Sequence, residues 1–184
     1  MPNIIDDYLI KLNETIKTLD TAAISKTLEA IKTARDTGKQ VFVIGNGGSA
    51  ATASHLATDL QKGLRLCTGK RLKAIALTDS IGLITAWGND YSYDDIFSGQ
   101  IESLADAGDV LIAISASGNS SNILKAVNTA NELGLQTIGW SGYDGGKLAS
   151  IVDIPVVVLN DNMQRIEDIH LIIAHVIFTC LISE

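Results

Sequence analysis

Val41-Phe-Val-Ile-Gly-Asn-Gly-Gly-Ser49 is the stretch on which the fold is decided. Four β-forming residues run into three glycines within four positions, followed by a serine and an alanine-rich run. That order predicts a buried strand, a tight turn of exposed amides and a helix N-terminus. Amides and helix dipole together suit an anion there, most often a phosphate. His55 and Asp59 lie four apart on the predicted helix, so they share a face a turn or two beyond the anion site. A phosphate grip and a pair of reactive side chains thus fall on one element.

Outward from this stretch the pattern alternates. Strands are predicted at 40–44, 72–77, 109–114, 136–140 and 154–158. Helices are predicted at 49–66, at 81–105 in one or two pieces, at 119–133, and briefly after Gly146. Repeated βα alternation with short loops argues for a parallel sheet covered on both faces, a three-layer α/β fold. Val110-Leu-Ile-Ala-Ile114 is apolar at every position, as a strand buried on both sides should be. Before the first strand, Ile4, Ile5, Tyr8, Leu9, Leu12, Ile16 and Leu19 form the stripe of an amphipathic helix. Ile24, Leu28 and Ile31 form that of a second, closed by Gly38. This helical hairpin covers the core or meets another subunit. The last helix, 163–182, is apolar on nearly every face between Ile169 and Leu181, so burial between subunits is expected. Pro2 and Pro155 mark no linker, and no internal repeat is visible. One domain over 1–184 is expected, with helices in 1–38 leading an α/β body in 39–184.

The 184 residues carry 14 Lys and Arg against 21 Asp and Glu, a formal net charge of −7. Nonspecific nucleic-acid binding needs a basic footprint, so nucleic acid is not an expected partner. A phosphorylated small molecule is still admitted, because local amides and hydroxyls dominate at such a site. Cys67 and Cys180 make neither a disulfide framework nor a metal pattern, which points to a reducing compartment. No secretory pattern opens the chain, and Leu171–Ile182 is short for a membrane span. A soluble, cytoplasmic protein with no membrane partner is expected.

Gly45-Asn-Gly-Gly-Ser-Ala50 also fits the dinucleotide fingerprint G-x-G-x-x-A. The acid that fingerprint wants about twenty residues on is missing. Asp79, at the end of the second strand, stands 31 beyond Gly48. A second loop, Ser115-Ala-Ser-Gly-Asn-Ser-Ser121, follows the third strand and opens a helix. Capping by Asn119 or Ser120 would use one of these residues, and four serines exceed that need. In a doubly wound sheet both loops meet at the switch-point crevice. Two small-residue anion loops suit a sugar phosphate better than a dinucleotide, so no nucleotide cofactor is expected. Lys62 and Arg65 read as a solvated helix face.

These runs, with Gly88-Asn-Asp90, Gly142-Tyr-Asp-Gly-Gly146 and Arg165-Ile-Glu-Asp-Ile-His170, stand in the order found in sugar isomerase (SIS) domains. The chain resembles that family over nearly its whole length, and more narrowly the phosphoheptose isomerases. The resemblance implies a five-stranded parallel sheet of flavodoxin-like order, and a homotetramer with active sites at subunit interfaces. It implies phosphate held by Ser49, Ser115, Ser117 and Ser120, with Asn46 and the amides around Gly47, Gly48 and Ala116 assisting. The family's metal-and-base pair falls on His55 and Asp59, and its C-terminal pair, facing sugar and metal, on Glu167 and His175. Asp90 falls where the family has an aspartate lining the sugar site. The implied reaction interconverts sedoheptulose 7-phosphate and D-glycero-D-manno-heptose 7-phosphate, on the way to the heptose of surface polysaccharides. The competing reading is a non-catalytic binder of the same fold, of the DnaA initiator-associating or phosphosugar-sensing kind. His55, Asp59 and His175 favour the enzyme, since an adaptor has no need of them.

The chemistry follows from the residue types. Isomerisation through an enediol needs a base to move a proton between C1 and C2, and polarisation of the carbonyl. A carboxylate and an imidazole facing one cavity supply the first, with Asp59 or His175 as the base. A divalent metal supplies the second as a Lewis acid, and His and carboxylate ligands are compatible with zinc and with other divalent ions. Two positions depart from the family pattern: Asp59 stands where a glutamate is usual, and Glu167 where a glutamine is usual. Losing one carbon–carbon bond moves a base by about 1.5 Å, and a misplacement of about 1 Å can cost about a hundredfold. Glu167 and His175 are eight apart, about 12 Å along a straight helix. Serving one metal from one chain would need long reach or a break in the helix, and contribution from a neighbouring subunit is the alternative. His170, three beyond Glu167, is expected to be structural.

Overall fold

The apolar runs become β1 (Gln40–Gly45), β2 (Lys73–Ala76), β3 (Val110–Ser115), β4 (Gln136–Gly142) and β5 (Ile154–Val158) in a computed structural model that describes residues 3–183. They form one all-parallel sheet in the order β2-β1-β3-β4-β5. The period of two divides the side chains between two cores. Val41 and Val43 face one and Phe42 and Ile44 the other, all with no exposed surface.

The first face is covered by the leading hairpin, α1 (Ile4–Ile16) and α2 (Thr21–Thr37), by α3 (Gly48–Thr58) and α4 (Leu64–Thr68), and by the C-terminal helix. α2 starts where Asp20 accepts from the amides of Ala22 and Ala23 and stops at the left-handed Gly38. The second face carries α5 (Ile81–Asp90), α6 (Ser98–Leu104), α7 (Ser121–Glu132) and α8 (Leu148–Ile151). The C-terminal helix, α9 (Met163–Ile182), begins where Asn162 accepts from the amide of Arg165. It buries Ile166, Ile169, His170, Ile173, Ala174, Ile177 and Leu181 on the first face. Its other side, with His175 and Val176, is exposed in the single chain. No helix among the described residues is long and apolar enough to cross a membrane.

One local feature departs from the sequence expectation of a continuous helix over 49–66. Asp59–Gly63 forms a π turn between α3 and α4, closed by the Leu64 amide on the Asp59 carbonyl. The wider turn keeps Leu56, Leu60 and Leu64 fully buried while Asp59 stays beside His55. Such turns recur at functional sites.

Candidate functional site

Strand order reverses direction between β1 and β3, and the loops leaving these strands open a crevice at their carboxyl ends. A cavity of about 160 Å³ lies there, lined by Asn46, Ser49, Ser115, Ala116, Ser117, Ser120, Met163 and Glu167. Two helix N-termini face it, those of α3 and α7, and neither has a side-chain cap. Capping of α7 by Asn119 or Ser120, the alternative use of the serine loop, is therefore not what the loop does. Ser120 Oγ lies 3.2 Å from Ser115 Oγ. Asn119 braces the loop, donating to the Ser117 carbonyl and accepting from the Lys147 amide.

The Gly142–Gly146 run buttresses that loop from behind. Gly142 and Leu148 donate from their amides to the carbonyls of Ala116 and Gly118. Gly118 has φ +63°, and a Cβ on it would overlap the Gly145 carbonyl. Gly118→Ala is expected to cost about 1–3 kcal/mol and to loosen the serine loop. Urea unfolding and the affinity for a sugar phosphate check both effects, and an unchanged midpoint would refute the bracing.

Asn46 is held by partners not anticipated from the sequence. Its amide forms a reciprocal pair with that of buried Asn122, at 2.9 and 3.0 Å, and Tyr93 Oη donates to it at 3.2 Å. Asn122 acts as a positioning residue, carrying Asn46 into the crevice. Asn122→Leu strands the Asn46 amide at about 1–3 kcal/mol, so KM for the sugar phosphate is expected to rise about tenfold with kcat nearly unchanged. A kcat loss at constant KM would exclude that role.

α3 and α9 lie side by side and run the same way from the crevice. At the near end, Glu167 stands so close to Gly48 that a Cβ there would lie 2.6 Å from Oε2. Farther along, His175 Nε2 lies 2.9 Å from His55 Nε2, and His55 Nε2 lies 3.3 Å from Asp59 Oδ2. The two rings meet edge to face at 4.9 Å between centroids. One ligand atom from each of His55, Asp59 and His175 lies within 4.8 Å of the others. Two imidazole nitrogens and a carboxylate oxygen form a donor set suited to zinc. Adjacent donors on a tetrahedral zinc are separated by about 3.3 Å, given bonds of about 2.0–2.1 Å. The two separations at His55 Nε2, 2.9 Å to His175 and 3.3 Å to Asp59, are close to that spacing.

Glu167 is not in this cluster. Eight residues of α9 separate it from His175, and it lines the serine crevice instead. Asp90 is exposed at the end of α5, where it accepts from the Asn89 side chain, and it does not line the crevice. His170 lies in the core, its Nε2 3.2 Å from the Ser141 carbonyl, and burial drives its pKa down to about 4.

A switch-point crevice with two uncapped helix ends and a hydroxyl-rich loop defines an α/β domain suited to an anionic small molecule. The sequence accordingly matches the SIS domain family over residues 7–142. It is 44% identical to a phosphoheptose isomerase of Geotalea daltonii over 91% of this chain and 86% of the relative. It is 41% identical to one of Aliarcobacter butzleri over 98% of this chain and 96% of the relative. A solved phosphoheptose isomerase from Francisella tularensis superposes with a TM-score of 0.91 at 33% identity, covering 99% of this chain and 98% of that one. The chain belongs to the phosphoheptose isomerase family of SIS-domain proteins.

Proposed function

We infer that this chain is an aldose–ketose isomerase that interconverts sedoheptulose 7-phosphate and D-glycero-D-manno-heptose 7-phosphate. One observation carries the reading. Two parallel helices join an anion crevice at Gly48 and Glu167 to a reactive cluster at His55 and His175. The two ends are separated by seven residues of α3 and eight of α9, about 10–12 Å. That span matches an extended heptose phosphate with its phosphate at one end and its carbonyl at the other.

In this reading Ser49, Ser115, Ser117 and Ser120 bind the phosphate with their hydroxyls. Asn46 and the amides around Gly47, Gly48 and Ala116 complete the grip, and the two helix dipoles favour its charge. Glu167 accepts hydrogen bonds from sugar hydroxyls beside Gly48. A divalent ion, zinc for preference, held by His55, Asp59 and His175, would supply Lewis-acid polarisation of the carbonyl oxygen. Asp59 and His175 divide the proton work: one moves the carbon-bound proton between C1 and C2, and the other moves a proton between the two oxygens. The π turn opening at Asp59 supports a backbone adjustment for a side chain one methylene shorter than the usual glutamate.

The homotetramer belongs to the same proposal. Exposed apolar residues on α1 (Ile4, Ile5, Leu9) and on α5 (Ile81, Leu83) support subunit contacts there. Asp90, at the end of α5, would then reach a neighbouring copy's sugar site. Light scattering is expected to give four chains per particle, and a monomer at micromolar concentration would remove this part.

Incubating purified protein with sedoheptulose 7-phosphate, with and without a chelator, and scoring aldose product tests the whole reading. Turnover lost to the chelator and restored by zinc is expected. No turnover of heptulose, hexulose or pentulose phosphates would sink it and leave a non-catalytic phosphosugar binder.

A further inference from the structure

A second cavity lies far from the crevice, at the opposite end of the sheet. It measures about 640 Å³ and is lined by Arg65, Arg71 and Lys73 with Gln40, Gln61 and the apolar wall Leu72, Ala74 and Ile75. Gln40 begins β1 and Gly45 ends it, so roughly 17 Å of strand separates this cleft from the crevice. A smaller lobe of about 290 Å³ shares Arg71 and Lys73 and adds Arg35 and Lys39.

Arg35 is paired with the Asp36 carboxylate at 2.7 Å, but the other four cations are not spent on carboxylates. Arg65 donates to the Gly69 carbonyl at 2.6 Å, Lys73 to Gly38 at 2.9 Å, and Lys39 to Ala107 at 2.6 Å. Arg71 makes no hydrogen bond or ion pair among the described residues, and none of these four has a carboxylate within ion-pair distance among them. A lysine on a short edge strand such as β2 guards it against pairing with another strand. That accounts for Lys73, but Arg65 comes from α4 and Arg71 from the turn before β2. Like charges gathered from separate elements repel one another, a cost that a bound anion removes. In a chain of net charge −7, such a concentration is local and built by the fold.

We propose that this cleft is a second anion site that binds an oligophosphate, a chain of two or three phosphates either free or on a nucleoside. Arg65, Arg71 and Lys73 line the larger lobe, and Arg71 and Lys73 line the smaller one as well, so a chain of phosphates has more cations to meet here than a single phosphate has. Its volume lies within the range of small-molecule sites, about 300–1,000 Å³. Gln61 already donates to the Ala74 carbonyl at 3.0 Å, which holds its amide against the cleft wall.

Titration calorimetry on the purified full chain tests this, with sodium tripolyphosphate in one arm and ATP in the other. Sedoheptulose 7-phosphate is kept in excess so that the crevice is filled. Both probes are expected to bind saturably, more weakly as salt rises. The Arg65→Gln/Arg71→Gln double variant should lose at least about tenfold in affinity while isomerising the sugar as before. Equal affinities assign the site to the phosphate chain, and tighter ATP binding adds the apolar wall to it. Absence of saturable binding by both probes overturns the proposal. So does binding that the double variant retains, or binding that excess sugar phosphate abolishes.

Discussion

His175→Ala is expected to reduce kcat for sedoheptulose 7-phosphate by about 10²–10⁴-fold, with KM and the unfolding midpoint close to those of the parent. Three features separate these outcomes. The His175 ring is exposed and meets the His55 ring, so its loss opens no core cavity. The helix keeps its bond at this position, because Thr179 donates to the main-chain carbonyl of residue 175. The proposed phosphate grip lies about 12 Å away along α9, so ground-state binding is expected to stay intact. Metal content should fall with kcat, since one of three convergent ligands is gone. A variant that kept its turnover, or lost it only by unfolding, would remove His175 from the reactive cluster.

Acid is expected to destabilise the fold through His170. This imidazole is 1% exposed, bonded through Nε2 to the Ser141 carbonyl, and its Nδ1 has no partner. Burial holds its folded pKa down at about 4, against about 6.5 in an unfolded chain. Between these values the unfolded state binds a proton that the folded state refuses, so stability rises with pH across that window. The contribution is complete above about pH 6.5 and is lost as pH falls toward 4, about 3 kcal/mol in all. Among the described residues no carboxylate pairs with the ring to soften this, and Trp140 lies beside it at 6.2 Å between ring centroids. Urea unfolding at pH 7, 5.5 and 4, compared with His170→Asn, isolates the term. The variant should be less stable at pH 7 yet show a shallower acid loss. Parallel pH profiles would show that the acid loss comes from other groups.

Much of the architecture is legible in the sequence because each element declares itself locally. β1 and β3 read as doubly buried strands from continuous apolar runs, and both are fully buried in all but the first residue of β1. Gly45 to Ser49 announces a strand-to-helix turn through glycine and serine alone, and α3 begins at Gly48. The expectation that two loops meet at a switch point follows from strand alternation, and the strand order puts β1 beside β3.

The site was legible only in part. Loop serines can be picked out by composition, but Tyr93 and Asn122 meet Asn46 across 47 and 76 residues of chain, and no spacing rule spans that distance. The π turn at Asp59 has no propensity signature, since its residues would be acceptable in an ordinary helix. The cationic cleft is scattered over residues 35 to 73. Arg65 read as solvated helix until folding set it beside Arg71 and Lys73.

By itself, the sequence determined the three-layer parallel fold, the phosphosugar-type loops and the family. The fold and the loops rest on short-range patterns, namely periodicity, turn glycines and helix ends, and the family rests on the resemblance of its motifs in their order. Only the tertiary structure decided which side chains work together. Spacing along one helix pairs His55 with Asp59, but it takes the parallel contact of α3 with α9 to set His175 against them and Glu167 against Gly48. The reason is geometric: a helix advances about 12 Å in eight residues, so two residues close in sequence land at opposite ends of the site, and a neighbouring helix decides what each one meets.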